Sequence, residues 1–87
     1  MVPMAQTVQR KCKILDYILK NKSITTREAT EIIDLDAFWT SRLVQKMQKE
    51  RIIKNIAPYG KRKIYIIDPD RLDLIKAILK FYYTEEA

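Results

Sequence analysis

Basic and amide side chains recur at helical spacing in the middle of the chain. Arg42, Gln45, Lys46 and Lys49 are separated by three or four residues, which places them on one side of an α-helix. Lysine and arginine neutralise phosphates, and Arg and Gln can each make two hydrogen bonds to one base edge. This pattern indicates contact with a polyanion. The alternative is a charged helix face that is only solvated.

The net charge is concentrated around those residues. The sequence has 17 Lys and Arg against 11 Asp and Glu, a net charge of +6. Residues 42–63 hold eight basic side chains against Glu50 alone, whereas residues 1–41 hold six against five and residues 64–87 hold three against five. A surface without a partner has little reason to segregate charge so sharply. We therefore expect the partner to bind around residues 38–63.

Catalytic and metal chemistry have little support in the composition. The chain has no His, one Cys and one Gly, so it lacks an imidazole base and a glycine-rich phosphate loop. Its carboxylates are scattered and form no metal cluster or paired-carboxylate site. We expect no enzyme activity, cofactor, metal or small-molecule substrate, and we expect Cys12 to be a buried structural residue.

The length and the termini are typical of a small intracellular domain. A chain of 87 residues fits one domain with a modest core. No apolar run approaches the roughly 18–20 residues that a membrane span needs. The first residues, Met-Val-Pro-Met-Ala-Gln, lack the pattern of a secretory signal. We therefore expect a cytoplasmic protein with no membrane partner.

Two helices are predicted before the basic segment. The first, over residues 6–21, follows from an apolar stripe with spacings of four, three and four. The residues of that stripe are Val8, Cys12, Leu15 and Leu19. The second, over residues 25–33, follows from a capping box, in which the Thr25 hydroxyl and the Glu28 carboxylate satisfy free backbone N–H groups. Ile24, between the helices, suits a short extended stretch.

The basic face belongs to a third helix, predicted over residues 36–51 with Asp36 as its cap. Its apolar side consists of Thr40, Leu43, Val44 and Met47. Two helices joined by a turn of three or four residues form a helix-turn-helix. We expect Phe38 to anchor this turn in the core and Trp39 to be partly exposed near the basic face. Core packing of Trp39 is the alternative.

A β-hairpin is predicted over residues 52–68. Two short runs rich in branched residues flank a segment that contains Pro58 and Gly60, which are typical of a hairpin tip. The hairpin carries three consecutive cations at residues 61–63.

The last helix, predicted over residues 69–83, is apolar around more than half of its circumference. A helix of this kind must be buried by something. We therefore expect a homodimer in which the first and last helices pack across a two-fold axis. The alternative is a monomer with a few exposed aromatic residues. The predicted interface residues are Leu72, Ile75, Ile78, Leu79 and Tyr82.

The order helix, short extended piece, helix, turn, helix, hairpin, helix resembles the winged helix-turn-helix family over roughly residues 8–82. The stretch from Trp39 to Ile53 is similar to the recognition helix of that family, which often has Gly where this chain has Arg51. The resemblance implies an α+β, mainly helical fold with a three-helix core, a two-stranded hairpin wing and a C-terminal helix. It also implies that the third helix enters the major groove of DNA and that the wing reaches an adjacent groove or phosphate.

The predicted DNA contacts fall on three elements. On the third helix, we expect Arg42 to contact guanine, Gln45 to contact adenine, and the neighbouring side chains to reach bases or phosphates. The helix set is Trp39, Ser41, Arg42, Gln45, Lys46 and Lys49. The wing set is Tyr59, Lys61, Arg62 and Lys63. At the start of the second helix, the predicted phosphate contacts are Thr25, Thr26 and Arg27.

These patterns predict a homodimeric, sequence-specific double-stranded DNA-binding protein, a transcriptional regulator that acts by occupying its operator. Two alternatives stay open. One is an architectural or partition-type DNA-binding protein with little sequence preference. The other is a winged-helix module that binds a protein partner, since an acidic protein could use the same basic surface.

Overall fold

Four α-helices and a three-stranded sheet make up the part of the chain that the computed structural model describes, residues 6–57 and 62–82, with Tyr82 described in its backbone alone. The elements in chain order are α1 (Gln6–Asn21), β1 (Ile24–Thr25), α2 (Thr26–Ile33), α3 (Ala37–Lys49), β2 (Ile53–Asn55), β3 (Ile64–Ile67), a 3₁₀ turn (Pro69–Arg71) and α4 (Leu72–Tyr82). The third helix ends two residues before the predicted Arg51, and the last element begins as a 3₁₀ turn.

The sheet has one strand more than the predicted two-stranded wing. Its order is β1-β3-β2, with both pairs antiparallel. Ile24 lies opposite Tyr65 in β3, and Ile53 of β2 lies opposite Ile67. The Ile24 side chain is fully buried, so the short extended stretch becomes a strand that anchors the hairpin to the helices.

One apolar core joins the helices to the sheet. Its largest fully buried side chains come from α1, β1, α3, β2 and α4, and they include Ile14, Met47, Ile53 and Ile75. Cys12 is buried in the same core, and burial raises the pKa of its thiol. A thiol in this environment stays protonated and behaves as a small apolar residue. No helix in the described ranges is long and apolar enough to cross a membrane.

The start of α2 is fixed by the predicted capping box. The backbone N–H of Glu28 donates to Thr25 Oγ1 at 3.1 Å, and the backbone N–H of Thr25 donates to Glu28 Oε1 at 2.9 Å. The Tyr17 hydroxyl donates to the other carboxylate oxygen at 2.8 Å, which ties α1 to α2. These hydrogen bonds, led by the one from the Thr25 backbone, lower the pKa of Glu28.

The end of α3 is a left-handed turn at a residue other than glycine. Arg51 has φ of 60°. Its N–H donates to the Gln48 carbonyl at 2.9 Å, and the Ile52 N–H donates to the Met47 carbonyl at 3.1 Å. This pair of bonds is the Schellman motif, in which glycine is the usual left-handed residue. The chain therefore makes the sharp exit into β2 at a steric cost from the Arg51 Cβ.

The expectation that Phe38 anchors the turn in the core is wrong, and Trp39 is not buried instead. Phe38 is 60% exposed and Trp39 is 55% exposed. Asp36 accepts a hydrogen bond from the Trp39 backbone N–H at 2.8 Å, which begins the helix at Ala37. In that register, Phe38 lies opposite the face that holds Val44 and Met47. Leu35 packs against the core at the turn.

The residues assigned to a dimer interface divide into two groups. Ile75 and Leu79 are buried in the core of a single copy, and Leu72 is partly buried against it. This face of α4 packs against α1. Ile75 and Leu79 are therefore not available to a second copy. Ile78 is half-buried. The Tyr82 side chain lies outside the described part of the structure.

Replacing Arg51 with glycine should stabilise the protein. We expect Arg51→Gly to raise the free energy of unfolding by about 0.5–1 kcal/mol, because glycine has no Cβ to oppose a positive φ. Urea denaturation followed by circular dichroism measures the change. Arg51→Ala is the matched control, since it removes the same charge but keeps the Cβ, and it should give no gain. Equal gains from both variants would assign the effect to charge rather than to the backbone.

The Glu28 capping contact should make stability depend on pH. The folded-state pKa of Glu28 is lowered, so its contribution is present above the unfolded pKa of about 4.3 and is lost as the pH falls through the lower folded pKa. We expect Glu28→Gln to be less stable than wild type at pH 7, with a smaller difference at pH 3.

Glu31→Gln is the matched control for that experiment. It removes an exposed carboxylate from the same helix, one that approaches only Arg27 at 3.6 Å among the ion pairs of the described residues. Urea midpoints at the two pH values measure both variants. If Glu28→Gln shows the same deficit at both pH values, the carboxylate charge is not the stabilising feature.

Candidate nucleic-acid interface

The burial of one side of α3 fixes which side chains point outward. Thr40, Val44 and Met47 are buried almost completely, and the Thr40 hydroxyl donates to the Leu35 carbonyl at 3.4 Å. Because a helix turns 100° per residue, this leaves positions 38, 42, 45 and 49 on the opposite side. Arg42, Gln45 and Lys49 are exposed there together with Phe38.

An open concave surface of about 680 Å³ lies between the beginning of α1 and the length of α3. Its cations are Arg10, Arg42, Lys46 and Lys49, and we call this surface the basic groove. Leu35, Trp39 and Leu43 supply its apolar part, and Thr7 and Gln45 complete the lining. None of the described residues that line it is acidic. The groove therefore combines a strong positive charge with an apolar wall.

An ion pair joins the two helices that form the walls of the basic groove. Lys11 Nζ lies 2.9 Å from Glu50 Oε1 and 3.2 Å from Oε2, joining α1 to the end of α3. An exposed pair of this kind contributes at most about 1 kcal/mol to stability. It also neutralises Glu50, the single acid of the segment 42–63, with a cation from outside that segment.

Two aromatic rings hold the Arg42 guanidinium. Phe38 and Trp39 meet edge to face, with ring centroids 5.2 Å apart and planes at 83°. The Arg42 guanidinium carbon lies 5.5 Å from the Phe38 centroid and 5.9 Å from the Trp39 centroid. Both distances are within the range of cation–π attraction. We call these three residues the aromatic–arginine cluster.

The predicted helix contacts are mostly brought together. Trp39, Arg42, Gln45, Lys46 and Lys49 all line the basic groove. Ser41 is half-buried and is not part of the lining. On the wing, Arg62 and Lys63 are exposed beside β3. Tyr59 and Lys61 lie outside the described residues.

The predicted phosphate contacts at the start of α2 have other partners. The Thr25 hydroxyl accepts the capping hydrogen bond, and the Glu28 carboxylate lies at the helix N-terminus. Arg27 approaches Glu31 at 3.6 Å. A carboxylate at this position already satisfies the positive end of the helix dipole. Thr25, Thr26 and Arg27 are not part of the basic groove.

Thr7 and Arg10 line the groove and were not predicted from the sequence. They are three residues apart, so they share a face of α1 beside its buried stripe. That spacing was visible in the sequence, but nothing local relates it to α3. Within the described ranges, no three His, Cys, Asp or Glu side chains cluster as metal ligands.

No protein-family model matches the sequence, and no curated protein does. Among solved structures, the chain is similar to the Zalpha domain of PKZ from Carassius auratus, which was crystallised in complex with Z-DNA. The TM-score is 0.63 at 19% sequence identity, and the match covers 72% of this chain and 98% of that domain. Likeness at this identity concerns the fold. It confirms the predicted α+β, mainly helical winged helix-turn-helix architecture.

Proposed function

We propose that this winged-helix chain binds double-stranded DNA and reads base sequence through α3. One observation carries the proposal: Arg10 of α1 and Arg42, Lys46 and Lys49 of α3 converge on one concave surface without an acid in its lining. A polyanion is the ligand that this charge distribution attracts. The complex of the Carassius auratus Zalpha domain with Z-DNA supports DNA as the partner.

The outward residues of α3 divide between base reading and backbone binding. Arg42 can make two hydrogen bonds to guanine, and Gln45, one turn further on, can make two to adenine. The aromatic–arginine cluster restricts Arg42 before DNA binds, which lowers the entropy lost on contact. Arg10, Lys46 and Lys49 bind phosphates, which sets affinity and position rather than sequence preference.

The dimensions of the element suit the major groove. α3 has 13 residues, so it is about 20 Å long, and the major groove is about 12 Å wide and admits a helix. Arg62 and Lys63 are exposed on the wing and add phosphate contacts beside α3. We therefore propose that the chain binds a right-handed duplex, and we use a left-handed duplex as the comparison.

We also propose that two copies associate through α4. Leu74 is 53% exposed, and Ala77, Ile78 and Phe81 follow it at helical spacing. This stripe is centred on the side of α4 turned away from Ile75 and Leu79. Asp73 and Lys80 flank this stripe at opposite ends. Antiparallel pairing of two α4 helices about a two-fold axis sets Asp73 near Lys80 of the second copy.

Such a dimer carries two α3 helices on one side of the DNA. If they lie about one helical turn (roughly 34 Å) apart, they match two half-sites of a palindrome. The dimer would then regulate transcription by occupying an operator and excluding other proteins. DNA binding without sequence selectivity would instead indicate an architectural role. The absence of DNA binding would indicate a protein partner.

Substitution of Arg42 should separate base reading from charge. With a random duplex pool, fluorescence anisotropy at two salt concentrations and sequencing of the retained DNA, we expect an enriched palindrome. We also expect a log–log salt slope near roughly −5 to −7. Arg42→Ala should relax the preference at its base pair. Arg62→Ala should weaken binding to all sequences alike and reduce the slope by about 1 per copy, or about 2 for the dimer.

Arg71→Ala is the charge-matched control, because Arg71 is exposed on the 3₁₀ turn and lies outside the basic groove. It should leave both affinity and preference unchanged. Unchanged base preference in Arg42→Ala would overturn the assignment of that residue. Binding without enrichment of a sequence supports the architectural role. Tighter binding to a left-handed alternating CG duplex would overturn the choice of a right-handed duplex. The absence of binding at low salt would indicate a protein partner.

The α4 interface should depend on Leu74. We expect the wild type to sediment as a dimer and Leu74→Asp to weaken dimerisation by at least about tenfold, because the new carboxylate would be desolvated in the interface. Ile56→Asp is the matched control, since Ile56 is a second half-exposed apolar residue away from α4. A wild type that stays monomeric at high concentration would refute the dimer and leave DNA binding to be judged separately.

A further inference from the structure

In the proposed reading of an intact duplex, the exposed aromatic residues of α3 restrain Arg42 and do not themselves read a base. Base pairs present their edges in the grooves, and Arg42 and Gln45 suffice to read edges. Trp39, which is 55% exposed, instead offers a large ring in the lining of the basic groove. Large aromatic side chains at the surface cost solvation that a small domain can avoid with polar residues. Their position beside four cations needs an explanation in terms of a ligand.

We infer that the basic groove binds an unpaired nucleotide of a DNA strand, with the base stacked on Trp39. This inference rests on the proposed DNA binding and names the preferred substrate, DNA that contains unpaired bases. Leu35 and Leu43 give the base an apolar wall next to the indole. The groove volume of about 680 Å³ lies within the range of roughly 300–1,000 Å³ typical of small-ligand sites, which accommodates one nucleotide.

The distribution of charge favours a strand over a free nucleotide. Arg42 and Lys49 are seven residues apart, about 10 Å along α3, and Arg10 faces them from α1. A free mononucleotide carries its charge on one phosphate, whereas a strand carries one at each nucleotide. No ion pair within the described residues occupies Arg10, Lys46 or Lys49. They are therefore available to the phosphates that flank a stacked base.

The aromatic–arginine cluster adds a second stacking surface. The planar Arg42 guanidinium lies over the Trp39 ring, and guanidinium planes stack on bases as aromatic rings do. Stacking of this kind tolerates any base, because every base has a π-face. The groove should therefore select for unpaired structure rather than for the identity of the unpaired base.

Trp39 reports on this site directly, because it is the one Trp in the chain. We would titrate the full chain with three DNAs of the same sequence: a fully paired duplex, the duplex with a two-nucleotide bulge, and the single strand. Intrinsic fluorescence reports stacking on Trp39, and anisotropy of a dye on the DNA reports total binding. We expect strong quenching by the bulged and single-stranded DNAs, and about tenfold tighter binding of the bulged duplex than of the paired one.

Substitution of Trp39 tests the stacking partner. Trp39→Leu should reduce the ratio of affinities for bulged and paired duplexes from about ten to about one, whereas Trp39→Phe, which keeps a ring, should retain most of it. Arg71→Ala, outside the groove, should keep the full ratio. Circular dichroism verifies that each variant is folded.

Three results would overturn the inference. The first is equal quenching of Trp39 fluorescence by paired and bulged duplexes. The second is an affinity ratio for bulged over paired duplex that stays near ten in Trp39→Leu. The third is quenching by dAMP at the concentration at which the single strand quenches, which would assign the groove to free nucleotides. If the paired duplex binds and the bulge gives no gain, this inference alone fails. If no DNA binds by anisotropy, the proposed function fails with it.

Discussion

The burial of Thr40, Val44 and Met47 in the shared core is the constraint on which the candidate site depends. A helix cannot bury one face without directing the opposite one outward, and its period of 3.6 residues decides which side chains those are. Arg42, Gln45 and Lys49 are thus presented as a set, by the same packing that stabilises the fold. A core substitution that rotated α3 by one residue would turn that set away from the groove.

Neighbouring elements convert this outward face into a groove. α1 contributes Arg10 from a position that only tertiary packing brings near α3, and the Lys11–Glu50 ion pair joins the two helices at the far end. The left-handed Arg51 then directs the chain away from α3 into β2. The site is therefore built from local features of modest energy, arranged around one well-packed helix. Its charge can change without loss of the core, which makes surface substitutions informative about function.

Local features of the fold could be predicted from the sequence, and non-local ones could not. Spacings of three and four residues predict the Thr25–Glu28 capping box and the buried face of α3, and the structure has both. The pairing of Ile24 with Tyr65 joins segments about forty residues apart, and no local pattern encodes it. Arg10 could not be predicted for the same reason, because its contact with the groove is non-local. The prediction that Phe38 is buried was wrong for another reason: its size suggested a core residue, whereas the Asp36 cap fixes a helical register that points it outward.

The uneven surface of α4 connects the small size of the domain to its proposed function. One module of this size buries on the order of 600–1,000 Å² against DNA, which limits both its affinity and the length of sequence it can read. Ile75 and Leu79 are buried in the core of one copy, whereas the stripe that begins at Leu74 stays exposed on the surface of that copy. Pairing two copies through this stripe would make the second α3 contact intramolecular, which raises affinity without any new contact to DNA. In this proposal, the exposed apolar stripe of α4 would pair two copies, and the basic groove of each copy would contact DNA.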